Sequence, residues 1–416
     1  MLKSTYVRDI AWQFSGNAAA QVLGILALPL LTRLYTPSSF GTLNLFTQIV
    51  SALSILITWR YEYLIVIPKE EKESFTIDRI VLTLGLLGVL FFTTVLSVFN
   101  FRIVSLIGDP ALHQWIVFAP ITALLISLSV ARQQNVQRSQ DYRKSGLSET
   151  VSRVAYLGSC FVGRFLFGGI GGLVLAAAFG ALAKLVFLCS LTELKRMQVS
   201  LVEVARKHFK LASSMSISHA MLAITSALPA LFISGMYGSD SLGQFSLVMS
   251  TLCVPSGLIG VAIGQVYYQR AAQKFASGET FERLWFDTTK GLVCIGAPIF
   301  IVIFLVAPTI YPLVFGSRWS QSGVLASWLA FPTLFAFITT PLDKGCLIVN
   351  AWWYPPAWHL LRVTTTLAVV WYAWSQAASF ERFLMILGVQ MACMYIVDFF
   401  ASRSFSCRVF NAVSHG

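Results

Sequence analysis

The chain has 416 residues, 56% hydrophobic and only 12% charged, with a formal net charge of +12. Its mean hydropathy is +0.72, whereas soluble domains carry about 25% charged residues, so a soluble enzyme or a soluble nucleic-acid-binding domain is excluded. The apolar residues fall in runs of about 20, the length that crosses a bilayer as a helix.

Twelve spans are predicted, at roughly 10–33, 41–67, 79–101, 113–136, 149–167, 169–192, 210–236, 241–268, 289–314, 323–349, 355–376 and 380–402. The first is too long and mixed for a cleaved signal peptide, because Ala18-Ala19-Ala20 falls inside its apolar run. It is read as an uncleaved helix. It ends in a phrase, Tyr35-Thr-Pro-Ser-Ser-Phe-Gly41-Thr-Leu-Asn-Leu45, that returns after the seventh span as Tyr237-Gly-Ser-Asp-Ser-Leu-Gly243-Gln-Phe-Ser-Leu247. Pro29 and Pro229 precede the two copies. The intervening number of spans is even, so both halves enter the membrane in the same direction, as in a parallel repeat. The expected fold is therefore an all-α membrane protein of two six-helix lobes, 1–195 and 210–416, joined by a cytoplasmic linker at 196–209. Gly41 and Gly243 are expected to permit a tight turn at the rim.

Basic residues collect at one side of the spans, as in Lys69, Lys72, Arg79, Arg138, Arg143, Lys144, Lys195, Arg196, Arg206 and Lys207. The other side holds only Arg33, Arg102, Arg164, Arg318 and Arg382. This positive-inside asymmetry places both termini in the cytoplasm and assigns the basic excess mostly to topology. The segment around Glu193–Lys210 reads equally well as a solvated linker or as an amphipathic surface helix. Cys160, Cys189, Cys253, Cys294, Cys346, Cys393 and Cys407 lie in or next to spans without a Cys-x-x-Cys pair, and read as small packing residues.

Charges inside spans are costly and mark a water-filled cavity or an ion pair. Arg60 and Glu62 bracket Tyr61 near the end of the second span. The fourth ends in Arg132-Gln-Gln-Asn-Val-Gln-Arg138, read as emerging into water. The fifth opens on Glu149 and Arg153, an i,i+4 pair, with Arg164 three turns on. Lys184 lies in the sixth, Asp343-Lys344 in the tenth, Arg362 in the eleventh one turn after His359, and Asp398 in the twelfth. Arg60, Arg153, Arg164, Lys184, Lys344 and Arg362 are the candidates for a cationic cavity lining, suited to an anionic substrate. For Arg153 and Arg164 snorkelling to an interface is the competing reading. Glu62, Asp343 and Asp398 are the acidic candidates for ion coupling. Trp352-Trp353-Tyr354 and Trp358 read as an interfacial belt.

No catalytic constellation, metal spacing or phosphate loop is present in the sequence, so no cofactor is expected. Repeated small residues within spans suit close helix packing.

Several segments together resemble bacterial polysaccharide flippases of the Wzx type, in the MATE-related superfamily. They are Leu28–Gly41, the stretch from Arg60 to Pro68, Ser241–Leu247, Ile263-Gly-Gln-Val-Tyr-Tyr and the segment from Leu313 to Gly323. The match runs from residue 10 to about 345 and weakens in the last two spans. The resemblance implies movement of undecaprenyl-diphosphate-linked oligosaccharide units across the bacterial inner membrane by alternating access. The products are O-antigen, capsule or exopolysaccharide, with a polymerase and a chain-length regulator as companions. Competing readings are a lipid II flippase, a drug exporter, a polymerase or glycosyltransferase, and a non-transporting scaffold. A cationic-drug exporter is disfavoured because the first span has only Asp9, at its margin. The short outer loops disfavour the enzymes.

Overall fold

The computed structural model describes residues 2–189 and 200–408, with no description of the side chains of residues 2–11 and 14. The described chain is all-helical: α1 (Leu2–Leu34), α2 (Pro37–Thr58), α3 (Glu71–Val98), α4 (Asn100–Ile107), α5 (Ala119–Arg138), α6 (Tyr142–Leu166), α7 (Gly171–Leu188), α8 (Leu201–Leu252), α9 (Val261–Ala276), α10 (Glu282–Phe315), α11 (Ser320–Thr339), α12 (Gly345–Ile348), α13 (Tyr354–Ser375) and α14 (Phe380–Ser406). An α-helix satisfies its backbone groups within one segment, which is what a bilayer demands.

Among the described residues, nine helical stretches are long and apolar enough to cross a membrane. One of these, Leu201–Ala276, holds both the seventh and the eighth predicted spans. The fifth and eleventh correspond to α6 and α13, of 25 and 22 residues, which fall short only on composition. Twelve membrane-length segments are thus consistent with the sequence reading.

The chain packs as two compact units, residues 1–243 and 244–416. In the first, α6 lies against α1 and α7, and α5 against α2, α3 and α7. The approach of α1 to α6 is close enough at Gly16 and Gly146 that a Cβ on either would strike the other helix's backbone. The α8 segment up to Gly243 belongs to this unit. Its Ala205 carbonyl accepts from the Tyr61 hydroxyl at 2.8 Å, and its Ser213 accepts from Trp59 Nε1 at 3.0 Å. In the second unit α11 packs on α10 and α14, and α13 on α14.

Local chemistry sets the boundaries. Thr36 caps α2 through the Ser39 amide at 3.3 Å, with Pro37 at the first helical position. The predicted second span, 41–67, is too long: α2 stops at Thr58, because Trp59 and Arg60 are both left-handed, with φ of 49° and 55°. A 3-10 turn, Tyr61–Leu64, follows. The tenth span is likewise cut short. α11 ends at Thr339, and Asp343 and Lys344 lie in a turn before α12. The expected linker falls partly on residues 190–199, outside those described, and its remainder from Leu201 is helical. Of the seven cysteines only Cys160 and Cys346 are buried; the other five are exposed.

The polar end of α5 is stitched into the protein rather than emerging into water. Arg132 pairs with Asp78 at 2.9 Å, and Asn135 donates to the same carboxylate at 3.2 Å. Arg138 donates to the carbonyls of Ile65 at 3.2 Å, Val66 at 3.4 Å, Pro68 at 2.5 Å and Lys69 at 3.2 Å. One planar guanidinium thereby closes the reversal between α2 and α3. Arg138→Ala is expected to lower stability by about 2 kcal/mol, the scale of hydrogen bonds to a charged donor. Arg138→Lys should restore only part of it, because an ammonium lacks the fork. Thermal unfolding of the purified protein checks both.

Candidate functional site

The six candidate cations divide by how the protein receives their charge. Lys184 on α7 is buried, and its Nζ lies 2.7 Å from Glu149 Oε1 and 2.9 Å from Gln133 Oε1. Gln133 Nε2 donates to the same Glu149 oxygen at 2.9 Å. The expected Glu149–Arg153 pair is therefore replaced by a three-helix network on α5, α6 and α7. Its cause is register: Glu149 faces α7, where Lys184 sits. Arg164 donates through Nε to the Leu34 carbonyl at 3.0 Å, tying the end of α6 to the end of α1. Both residues are held in structural work within the first unit.

The other four share a different arrangement, in which each lies over a tyrosine ring. The distances to the ring centroid are 5.6 Å for Arg60 over Tyr63, 5.8 Å for Arg153 over Tyr156, 6.0 Å for Lys344 over Tyr268 and 5.6 Å for Arg362 over Tyr395. Of these only Arg60 also forms an ion pair among the described residues, with Glu62 at 3.2 Å. A tyrosine face attracts a cation through its quadrupole without cancelling its charge.

Around Arg60 the left-handed corner turns the guanidinium back over the 3-10 turn, where its side chain is 13% exposed. Glu62 is fully buried. Among the described residues, Arg60 Nε and Glu62 Oε2 have no hydrogen-bond partner. Tyr63 stacks on His219 of α8 with centroids 5.2 Å apart. The result is a cation, two aromatic faces and a carboxylate on the first unit.

In the second unit, Asp398 on α14 is buried and accepts from the Tyr354 hydroxyl at 2.6 Å. Arg362 of α13 lies within electrostatic reach of Asp398, as does Asp343 from the turn after α11. Asp343 and its neighbour Lys344 lie within electrostatic reach but form no direct ion pair among the described residues, and Lys344 is exposed and turned toward Tyr268. Trp352 and Trp353, just before α13, are 65% and 64% exposed.

Two cavities of the first unit lie elsewhere. A polar cleft of about 330 Å³ is lined by Glu71, Arg132, Asn135, Arg138, Asp141 and Lys144 among others. Its two arginines are already engaged by Asp78 and by the loop carbonyls. An apolar groove of about 860 Å³ runs along α6 and α7.

The signals behind these arrangements differ in kind. Arg60–Tyr63 and Arg153–Tyr156 are three residues apart and readable as local pairs. Lys344–Tyr268 and Arg362–Tyr395 join separate elements, and no sequence spacing marks them. Sequence reasoning also passed over Gln133, Asp78 and His219 as partners.

The fold is similar to those of solved membrane transporters. It resembles a lipid II flippase, MurJ, in an inward closed conformation, at TM-score 0.74 and 11% identity over 95% of this chain and 87% of that one. An inward-facing multidrug resistance MATE family transporter gives 0.57 at 15% identity over 94% and 93%. A MOP superfamily transporter from Pyrococcus furiosus, whose structure is described by a reversed polarity of its binding pocket, gives 0.57 at 14% identity over 95% of each chain. No curated protein matches in sequence. The model of the polysaccharide biosynthesis protein family matches residues 30–323, and the chain belongs to that family.

Removing Lys184 leaves Glu149 without its cation inside the helix bundle. Lys184→Met is expected to lower stability by about 2 kcal/mol. The double variant Lys184→Met/Glu149→Gln should recover most of it, as read by thermal unfolding.

Proposed function

We propose that the protein is a lipid-linked oligosaccharide flippase. It moves undecaprenyl-diphosphate-linked repeat units from the cytoplasmic to the periplasmic leaflet of the bacterial inner membrane, for O-antigen, capsule or exopolysaccharide synthesis. It is a transporter and not an enzyme. Both termini lie in the cytoplasm, a polymerase and a chain-length regulator act beside it, and two six-helix lobes, 1–195 and 210–416, alternate around the linker at 196–209.

The observation that carries this reading is the seating of Arg60, Arg153, Lys344 and Arg362 over tyrosines. A diphosphate needs cations with donors to spare: Arg153, Lys344 and Arg362 have no ion pair among the described residues, and Arg60, though paired with Glu62, keeps a free Nε there; Arg supplies bidentate donors to phosphate oxygens. A sugar ring packs its C–H face against an aromatic ring. Each cation–tyrosine pair offers both surfaces. Lys184 and Arg164, committed to Glu149 and to the Leu34 carbonyl, drop out of the substrate-binding set. Glu62, Asp343 and Asp398 remain the acidic groups for ion coupling. Membership of the polysaccharide biosynthesis family supports an oligosaccharide cargo over the drug named for the MATE transporter.

Arg60→Ala and Arg362→Ala are each expected to reduce surface polysaccharide by tenfold or more, taking about 1.5–3 kcal/mol for each lost charged contact, with the protein still present in the membrane. Lys184→Met/Glu149→Gln should retain most of it. Immunoblots of membranes and electrophoresis of extracted polysaccharide make the comparison. Full activity of both arginine variants would remove the cationic-site reading.

A further inference from the structure

The repeated phrase meets itself in the folded protein. In the first copy the chain turns at Tyr35-Thr36 and enters α2 at Pro37. In the second, α8 breaks at Gly238, whose φ and ψ of 84° and 165° are not helical. The two entering segments then touch backbone to backbone. A Cβ on Gly41 would overlap the Ser239 carbonyl and come within 3.0 Å of the Gly243 amide nitrogen. A Cβ on Gly243 would overlap the Pro37 carbonyl and come within 3.0 Å of the Pro37 Cα. In the alignment of the copies Pro37 corresponds to Ser239 and Gly41 to Gly243. Each glycine therefore rests on the other copy's equivalent position, as the two halves of an isologous contact do.

The flanks of the two copies are held separately. Tyr35 donates to the Cys160 carbonyl at 2.7 Å and Thr42 donates to Asp109 at 2.5 Å, both within the first unit. Gln244, the residue after Gly243 and the first of the second unit, donates to the Arg318 carbonyl at 2.8 Å and accepts from the Ser322 amide at 3.0 Å. The boundary between the compact units thus falls one residue beyond the glycine contact. None of these four hydrogen bonds crosses the glycine contact, so it can part without breaking them. The earlier expectation, that each glycine serves its own tight turn, does not account for this: neither Gly41 nor Gly243 has a positive φ.

We propose that Gly41 and Gly243 form a two-fold-symmetric joint, a bare backbone contact that parts and re-forms as the protein changes conformation. The link to transport rests on the flippase reading; the joint itself does not. Its symmetry makes a distinctive demand. A methyl group at either glycine acts as a wedge under both copies, so the second methyl adds little to the first.

The test is hydrogen exchange of the purified protein, without substrate, on Gly41→Ala, Gly243→Ala and the double variant. Gly158→Ala serves as a control, since nothing lies within 4 Å of the added methyl. Exchange in peptides covering 36–44 and 238–246 is expected to rise about tenfold in either single variant, the scale of an overpacked contact, and to rise no further in the double. A change confined to the substituted turn, or effects that sum, overturns the proposal. If a single variant does not fold, the unmodified protein decides instead. One joint requires both segments to open with one temperature dependence, and independent opening contradicts it. Joint behaviour combined with normal surface polysaccharide in Gly41→Ala would leave the joint standing and detach it from transport.

Discussion

Charge within a membrane-length bundle has to be met by the protein, because lipid offers it nothing. Besides backbone carbonyls, as at Arg164, this chain meets the demand in two ways. Lys184 and Arg132 are answered by carboxylates, Glu149 and Asp78, and these pairs fasten helices α3, α5, α6 and α7. Arg153, Lys344 and Arg362 are answered by tyrosine faces, and Arg60 by a tyrosine together with Glu62. The first solution cancels charge and holds the fold. The second shelters charge without an opposing carboxylate at Arg153, Lys344 and Arg362, among the described residues.

That division separates the intramembrane cations that fasten helices from those seated on aromatic faces. Position along the chain placed Lys184 deep in its span and so marked it for a cavity. The decisive fact is the opposing helix, which brings Glu149 and Gln133 to it. Arg164 is similar, since its partner is a backbone carbonyl at the end of α1, and carbonyls carry no sequence signature.

The helices were largely legible, because long apolar runs leave little else to form. The ends were less so. α2 stops nine residues before its predicted limit, where Trp59 and Arg60 adopt left-handed backbone, a conformation that Gly or Asn would have signalled and these residues do not. α11 stops before Asp343 for want of any apolar signal to separate a turn from a span. The polar end of α5 looked like a solvated tail, yet Arg138 reaches four carbonyls of a distant loop. The repeat was legible as a repeat, whereas its mutual contact was not, since a glycine is spared a Cβ equally by a turn and by a close neighbour. The family resemblance was placed from residue 10 to about 345, and the family model covers 30–323.

The account depends most on the direction and identity of the cargo. The direct measurement is to delete the gene and locate the lipid-linked oligosaccharide by leaflet, with a probe that reaches only one face. The account predicts accumulation on the cytoplasmic face, relieved when the gene is restored. Accumulation of unpolymerised units on the periplasmic face would contradict it and point to a polymerase.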